Sequence, residues 1–202
     1  MKSSNLFFFI TLSFITGFAT ADNHSETSLN ESSELVSNGP AEAIRSALIN
    51  LNQLSKSLYT PEKTREVVEN QVIPLFDFDK LAQEVLLFTS VSLTNEELKY
   101  FTSRLQSSIL TGMLTKFAQI RTTSFKFISA RPSRGGSIIV QLGVFGYASY
   151  PMYIDLVFHQ DDEQKWLIYD VVLNGQSLIN YYRKMAIVLL NKYGTYGMLG
   201  RL

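Results

Sequence analysis

Apolar residues recur every three or four positions in the first half of the chain and every second position in the second half, and this change of period divides the molecule. Ile44, Leu48, Leu51 and Leu54 mark a first helix from Pro40 to about position 57, with the proline where a helix needs no N–H. Thr60-Pro61 restarts a helix that runs to about Val72 before Pro74 stops it, and a shorter helical segment follows over 78–87. Thr94-Asn-Glu-Glu97 is a capping box, in which a threonine and a glutamate three residues on satisfy each other's backbone donors. It opens a long helix whose apolar face carries Leu98, Phe101, Leu105, Ile109, Met113 and Phe117, with Gly112 as its weak point.

Beyond Thr122 the period becomes that of strands, over 124–130, 137–145, 152–160 and 165–173. The connectors Arg131-Pro-Ser-Arg-Gly-Gly136, Gly146-Tyr-Ala-Ser-Tyr-Pro151 and Asp161-Asp-Glu-Gln164 are rich in turn formers. At Gly175 the last strand is expected to turn straight into a final helix. Helices first, an antiparallel meander next and a helix last predict an α+β fold, with helices packed on one face of a curved, mainly antiparallel sheet. Ile138, Val140, Leu142 and Val144 share one face of the second strand, and Met152, Ile154, Leu156 and Phe158 one face of the third. That face must be covered, and the same residues suit either a dry core or an apolar cavity.

Lys2, the apolar run 6–18 and the small residues Ala19-Thr20-Ala21 form the pattern of a secretory signal peptide cleaved after Ala21. Residues 22–38 are polar, with little to bury, and read as a disordered linker ahead of a single domain over 39–202. With no cysteine, the folded part must rest on its core rather than on disulfides. The whole chain carries 18 basic and 18 acidic residues, and loss of Lys2 with the signal leaves 17 against 18. That balance offers no electrostatic case for nucleic acid. The two histidines, His24 in the linker and His159 beside a turn, supply no metal-ligand set, and Gly175-Gln-Ser177 is not followed by the glycine of a nucleophile elbow.

The segment Trp166-Leu-Ile-Tyr169-Asp170-Val-Val-Leu173-Asn-Gly175-Gln-Ser177-Leu178-Ile-Asn-Tyr181-Tyr182-Arg183, with 185–190 and the closing Gly194-Thr-Tyr-Gly197, resembles the C-terminal signature of the MlaC family, also called toluene-tolerance auxiliary proteins. Ile73-Pro74-Leu75-Phe76-Asp77-Phe78-Asp79 and the long helix with Phe101, Leu105 and Leu114 are similar to further family segments. Leu87-Phe88, Gly112-Met113 and Met185 depart from the family pattern. The resemblance implies a periplasmic carrier related to NTF2-like folds, holding phospholipid as cargo with its tails in an apolar cavity, and using no cofactor. It implies as partners an outer-membrane lipoprotein–porin complex and an inner-membrane ABC transporter with its lipid-binding ring subunit. The physics suits such a device, because burying one methylene is worth about 0.8 kcal/mol, or roughly 13 kcal/mol for a chain of about 16 carbons.

Under that reading the acyl-chain candidates are Phe76, Phe78, Leu81 and Val85 in the first half, Leu105, Ile109 and Met113 on the long helix, and Val140, Leu142, Ile154, Leu156 and Val171 on the strands. Tyr182 is the candidate for the cavity mouth, its ring buried and its hydroxyl wet. Trp166, Asp170, Gly175 and Arg183 are structural candidates, with Arg183 expected to pair with Asp170 rather than with a lipid phosphate. Asp77 and Asp79 read as helix caps, and His159 as a solvated strand end. Two other classes stay open: an adaptor with a filled core, and an enzyme using Asp170 or His159 with a tyrosine as an acid–base pair.

Overall fold

The computed structural model describes residues 39–54, 60–117, 124–146 and 149–202. The expected signal segment 1–21, the linker 22–38 with His24, and the side chains of Leu54 and Phe117 lie outside the described residues.

Helix α1 (Pro40–Leu54) begins with its proline in the first turn and buries Ile44, Ala47 and Leu51 against the sheet. Helix α2 (Pro61–Val67) is capped by Thr60, whose hydroxyl accepts from the Lys63 N–H. The sequence predicts that this helix runs unchanged to Val72. Instead it widens into a π turn over Val68–Val72, where the Ile73 N–H reaches back five residues to the Val68 carbonyl, and then tightens over Ile73–Leu75. Pro74 is the cause: its ring crowds the carbonyl four residues back and it has no N–H to give the ladder. Helix α3 (Phe78–Leu86) buries Phe78, Leu81, Ala82 and Val85, the i, i+3, i+4, i+7 stripe of an amphipathic helix. Helix α4 (Asn95–Phe117) opens with the capping box intact: the Thr94 N–H donates to Glu97 at 2.8 Å and the Glu97 N–H to the Thr94 hydroxyl at 3.2 Å.

The strands β1 (Ser124–Pro132), β2 (Ile138–Phe145), β3 (Met152–Gln160), β4 (Trp166–Leu173) and β5 (Gln176–Ser177) form one open antiparallel sheet in chain order. The register makes cross-strand rows of the alternating apolar residues: Val140, Leu156 and Val171 are partners in one, Leu142, Ile154 and Leu173 in the next. One extra residue in β1, at Ile128, and one in β4, at Tyr169, bulge the ladder and add twist. The short β5 corrects the expectation that β4 turns directly into a helix. Asn174 and Gly175 both take positive φ, 50° and 75°, as an Asn-Gly hairpin turn requires, and the chain doubles back for two residues first. Ser177 then caps helix α5 (Leu178–Arg201), accepting from the Asn180 N–H. Gly194, at φ 69°, breaks α5 and returns Met198, Leu199 and Leu202 to the interior.

Two edges of the sheet are managed by side chains and loops. At β1 the Asn52 amide imitates a strand, donating to the Phe125 carbonyl at 2.8 Å and accepting from its N–H at 2.7 Å. At β4 the residues before α3 add a parallel bridge, Phe76 opposite Ile168, with the Asp77 N–H donating to the Ile168 carbonyl. Bare edges template unwanted pairing, and both devices occupy backbone groups that an edge leaves free.

Candidate functional site

The interior consists of two apolar clusters rather than one. The first packs α1 and the π turn on the sheet: Val68 and Val72 meet Val140, Leu142, Leu156, Phe158 and Ile168. The second lies among α3, α4 and α5: Phe78, Leu81 and Val85 meet Phe101, Leu105, Ile109, Ile179 and Ala186. Ile73, Phe76 and Met113 are half-buried and packed against both clusters, so they form a seam between them.

The predicted acyl-chain residues divide across this seam. Val140, Leu142 and Leu156 are buried in the first cluster, with Ile154 and Val171 half-buried at its margin. Phe78, Leu81, Val85, Leu105 and Ile109 are buried in the second. Only Phe76 and Met113 of the candidates touch both. The apolar cavity expected between helices and sheet is therefore occupied, at this junction, by packed side chains. An apolar void costs about 24 cal/mol per Å³, so adaptable walls close on one another. The acyl-chain candidates do not include Ile73, Leu110 and Leu114, although Ile73 and Leu114 belong to the segments that carry the family resemblance; beside Pro74, Ile73 reads first as a helix end.

The structural candidates differ from expectation in an informative way. Asp170 is buried, and one oxygen accepts from the Val171 and Ile179 N–H groups at 2.8 and 3.1 Å while the other accepts from the Ser177 hydroxyl at 2.6 Å. Burial pushes its carboxyl above the usual value of 3.8, and those hydrogen bonds pull the other way. Arg183 does not pair with it. Its guanidinium instead donates to the Glu84 carbonyl near the end of α3, donates to Asn180 at 3.0 Å, and lies over the Phe88 ring. The reason is that the start of α5 already supplies the donors Asp170 needs, whereas the end of α3 has carbonyls with no helical partner. Trp166 opens β4 opposite Gln160, half-buried against the first cluster.

Tyr182 is also corrected: it is buried, and its hydroxyl donates to Ser108 at 3.0 Å, tying α5 to α4 instead of facing water. Burial raises its phenol above 10.0, the Ser108 bond partly opposing the shift. His159 is not a solvated strand end. Its Nε2 lies 2.9 Å from Asp77 and its ring meets Tyr169 edge-on. Asp77 also caps α3 by accepting from the Lys80 N–H at 2.8 Å, while Asp79 is exposed in the first turn and caps nothing. Of the residues that depart from the family pattern, Leu87 and Phe88 are exposed and Met185 is half-buried in the second cluster. Gly112 is exposed, and Met113 alone of that pair enters the interior.

Two of the open clefts among the described residues flank the interior. One, of about 490 Å³, lies between α2, the π turn and Leu114. The other, of about 520 Å³, lies where Phe76–Asp79 faces α4 at Lys99, Thr102, Ser103 and Gln106, with Asp161 and Leu167 closing its side. The Phe76 and Phe78 rings stack at 5.3 Å on its wall. Among the described residues no group of three or more His, Cys, Asp or Glu side chains is placed to hold a metal ion, and no helix is long and apolar enough to cross a membrane.

Fold and interior together define a class: an α+β domain with an open five-stranded antiparallel sheet and an apolar interior divided by a seam. Within it, this chain belongs to the MlaC family, whose model, described as MlaC protein, matches residues 42–202. The fold is shared with the phospholipid-binding protein from Ralstonia solanacearum, solved in complex with a phospholipid. The TM-score is 0.64 over 79% of this chain and 90% of that one, at 17% sequence identity. No curated protein matches the chain.

Proposed function

We propose that this protein is a periplasmic phospholipid carrier, whose acyl chains part the seam at Ile73, Phe76 and Met113 and lie between the two apolar clusters. The observation that carries the reading is the seam itself: two separately closed clusters joined by three half-buried, deformable side chains. Methionine adapts its shape at little cost, and the flanking Leu110, Leu114 and Leu75 are only partly buried. Each methylene moved from water into such a seam gains about 0.8 kcal/mol, enough over two chains to reopen packed walls. Membership of the MlaC family and a fold shared with a phospholipid complex support the same conclusion. In this reading the cargo passes between an outer-membrane lipoprotein–porin complex and an inner-membrane ABC transporter with its lipid-binding ring subunit, and residues 1–21 are the export signal.

The acid–base alternative finds no support at Asp170, whose two oxygens are engaged in holding the start of α5. The test is native mass spectrometry of the full chain, expressed in a bacterial envelope and purified without detergent, with organic extraction of what accompanies it. Phospholipid near one molecule per protein is expected. A folded protein at its bare mass, with no lipid in the extract, refutes the carrier.

A further inference from the structure

Charge is unevenly placed along this chain. Over 39–170 basic and acidic residues balance to within one, whereas 171–202 holds Arg183, Lys184, Lys192 and Arg201 and no aspartate or glutamate. These four cations lie on α5, and the helix is two-faced. Ile179, Tyr182 and Ala186 are buried, while Tyr181, Lys184, Val188 and Lys192, three or four residues apart, are exposed along the opposite stripe. Lys184, Lys192 and Arg201 belong to no ion pair among the described residues. Near the break at Gly194, Lys192 and Arg201 instead lie over the Tyr193 ring, 5.1 and 4.3 Å from its centre, and Tyr196 is exposed three residues on. A stripe of cations interleaved with tyrosine and valine is the composition of a helix that lies in a membrane interface.

The loop between α3 and α4 adds an apolar ring beside the start of α5. Phe88 is 82% exposed at φ 69°, a backbone conformation that bulky side chains rarely adopt. Its neighbours hold it there: the Thr89 N–H and hydroxyl both donate to the Leu86 carbonyl, at 3.0 and 2.7 Å, and the Arg183 guanidinium lies 5.8 Å from the Phe88 ring centre. Strain kept in place to hold an apolar ring in water marks a segment with a use outside the fold. We propose that the outward face of α5, with Leu87-Phe88 as an apolar wedge beside its start, docks the protein on an anionic lipid surface. The proposal does not depend on what the seam holds. The cations meet the phosphate layer, the tyrosine hydroxyls stay wet at headgroup level, and Phe88 enters the acyl boundary. Each Lys or Arg near an anionic surface favours the bound state about fivefold, and the attraction decays over about 10 Å at 0.1 M salt. The balanced remainder of the domain offers the surface no comparable attraction, so the docking is oriented.

The experiment floats the protein, purified from a bacterial envelope, through a density gradient with phosphatidylcholine vesicles that contain about one-third phosphatidylglycerol, and with phosphatidylcholine vesicles alone. Flotation is expected with the anionic vesicles only, and it weakens between about 0.05 and about 0.5 M salt. Lys184→Gln combined with Lys192→Gln lowers the partition about twentyfold, and Phe88→Asn lowers it about tenfold at either salt. Asparagine tolerates the positive φ, so that variant loses the ring without added strain. All three positions are exposed, so melting temperature and lipid carried per protein stay those of the unmodified chain. Equal flotation on neutral vesicles, or flotation indifferent to the lysine substitutions, overturns the docking face. No flotation by a protein that still carries lipid overturns the docking and leaves the carrier standing. A protein that floats but carries no lipid refutes the carrier and supports the docking. Retention on immobilised polyglutamate without flotation assigns the face to an acidic protein and overturns the lipid surface.

Discussion

Met113→Trp is the sharpest test of the seam. Met113 is half-buried on α4 and touches both clusters, whereas Leu81 is fully buried within the second. An indole at position 113 fills the space that acyl chains are proposed to open. If it excludes about four methylenes, the loss is about 3 kcal/mol of lipid affinity, or roughly 200-fold. Overpacking itself costs about 1–3 kcal/mol, which for a chain of this size lowers Tm by at most about 12 °C. Leu81→Ala is the control: truncating a buried leucine costs about 2–5 kcal/mol and lowers Tm by about 5–20 °C. The folded fraction of that variant should keep its lipid. The assay pairs a thermal melt with phospholipid per folded protein after extraction. The expected result is a double dissociation, with Met113→Trp folded and lipid-poor and Leu81→Ala unstable and lipid-loaded. Met113→Trp at full lipid occupancy, or equal loss of lipid in both variants, refutes the seam as the place where chains bind.

Asp170→Asn tests the buried carboxyl: because burial raises the folded-state value above 3.8, the native state binds more protons than the unfolded one just above that pH. There Asp170 makes stability rise as pH falls, so urea midpoints measured across the window should slope less in the variant, and an unchanged slope refutes the assignment. Arg183→Met removes the donor to the Glu84 carbonyl and the cation over Phe88, and should cost about 1–2 kcal/mol by chemical denaturation, with Arg183→Lys recovering only part. Asn52→Ala strips both amide bonds from Phe125 at the β1 edge and should cost about 2 kcal/mol, read as faster hydrogen exchange at the start of β1.

Local chemistry was legible in the sequence, and contacts between distant segments were not. The Thr94–Glu97 box, the α3 stripe and the alternating faces of β2 and β3 were all readable, because each is set by residues within one turn or one strand. The hairpin is local chemistry of the same kind, but its signal is the pair Asn174-Gly175, not Gly175 alone. Arg183 and Asp77 were out of reach. Their partners Glu84 and His159 lie 99 and 82 residues away, and which charge meets which group depends on how α3 docks on α5 and on the β4 edge. The candidate residues were recognisable as apolar, but nothing in their spacing says that they fall into two clusters.

The division into clusters bears directly on the proposed transport. A single continuous core exposes its apolar surface only by unfolding, because its side chains interlock in all directions. Two cores, each tied by its own polar contacts, can move apart along the seam with those contacts kept. On one side the Asn52 clamp holds α1 to β1; on the other, Tyr182 holds α5 to α4 and Arg183 holds α5 to α3. The seam side chains make no such polar bond, so parting them costs apolar contact, which acyl chains restore in kind. The Asp77–His159 contact, the Asp77 N–H on the Ile168 carbonyl and the Ile179 N–H on Asp170 meanwhile keep α3 and α5 hinged to the sheet. In the proposed cycle release follows from the same balance: when a partner offers the tails another apolar surface, Ile73, Phe76 and Met113 close on each other again, and the work of reclosing is already favourable. A carrier built in the proposed way gains from lipid only the difference between two apolar fillings, which is smaller than the full transfer from water and leaves the cargo exchangeable.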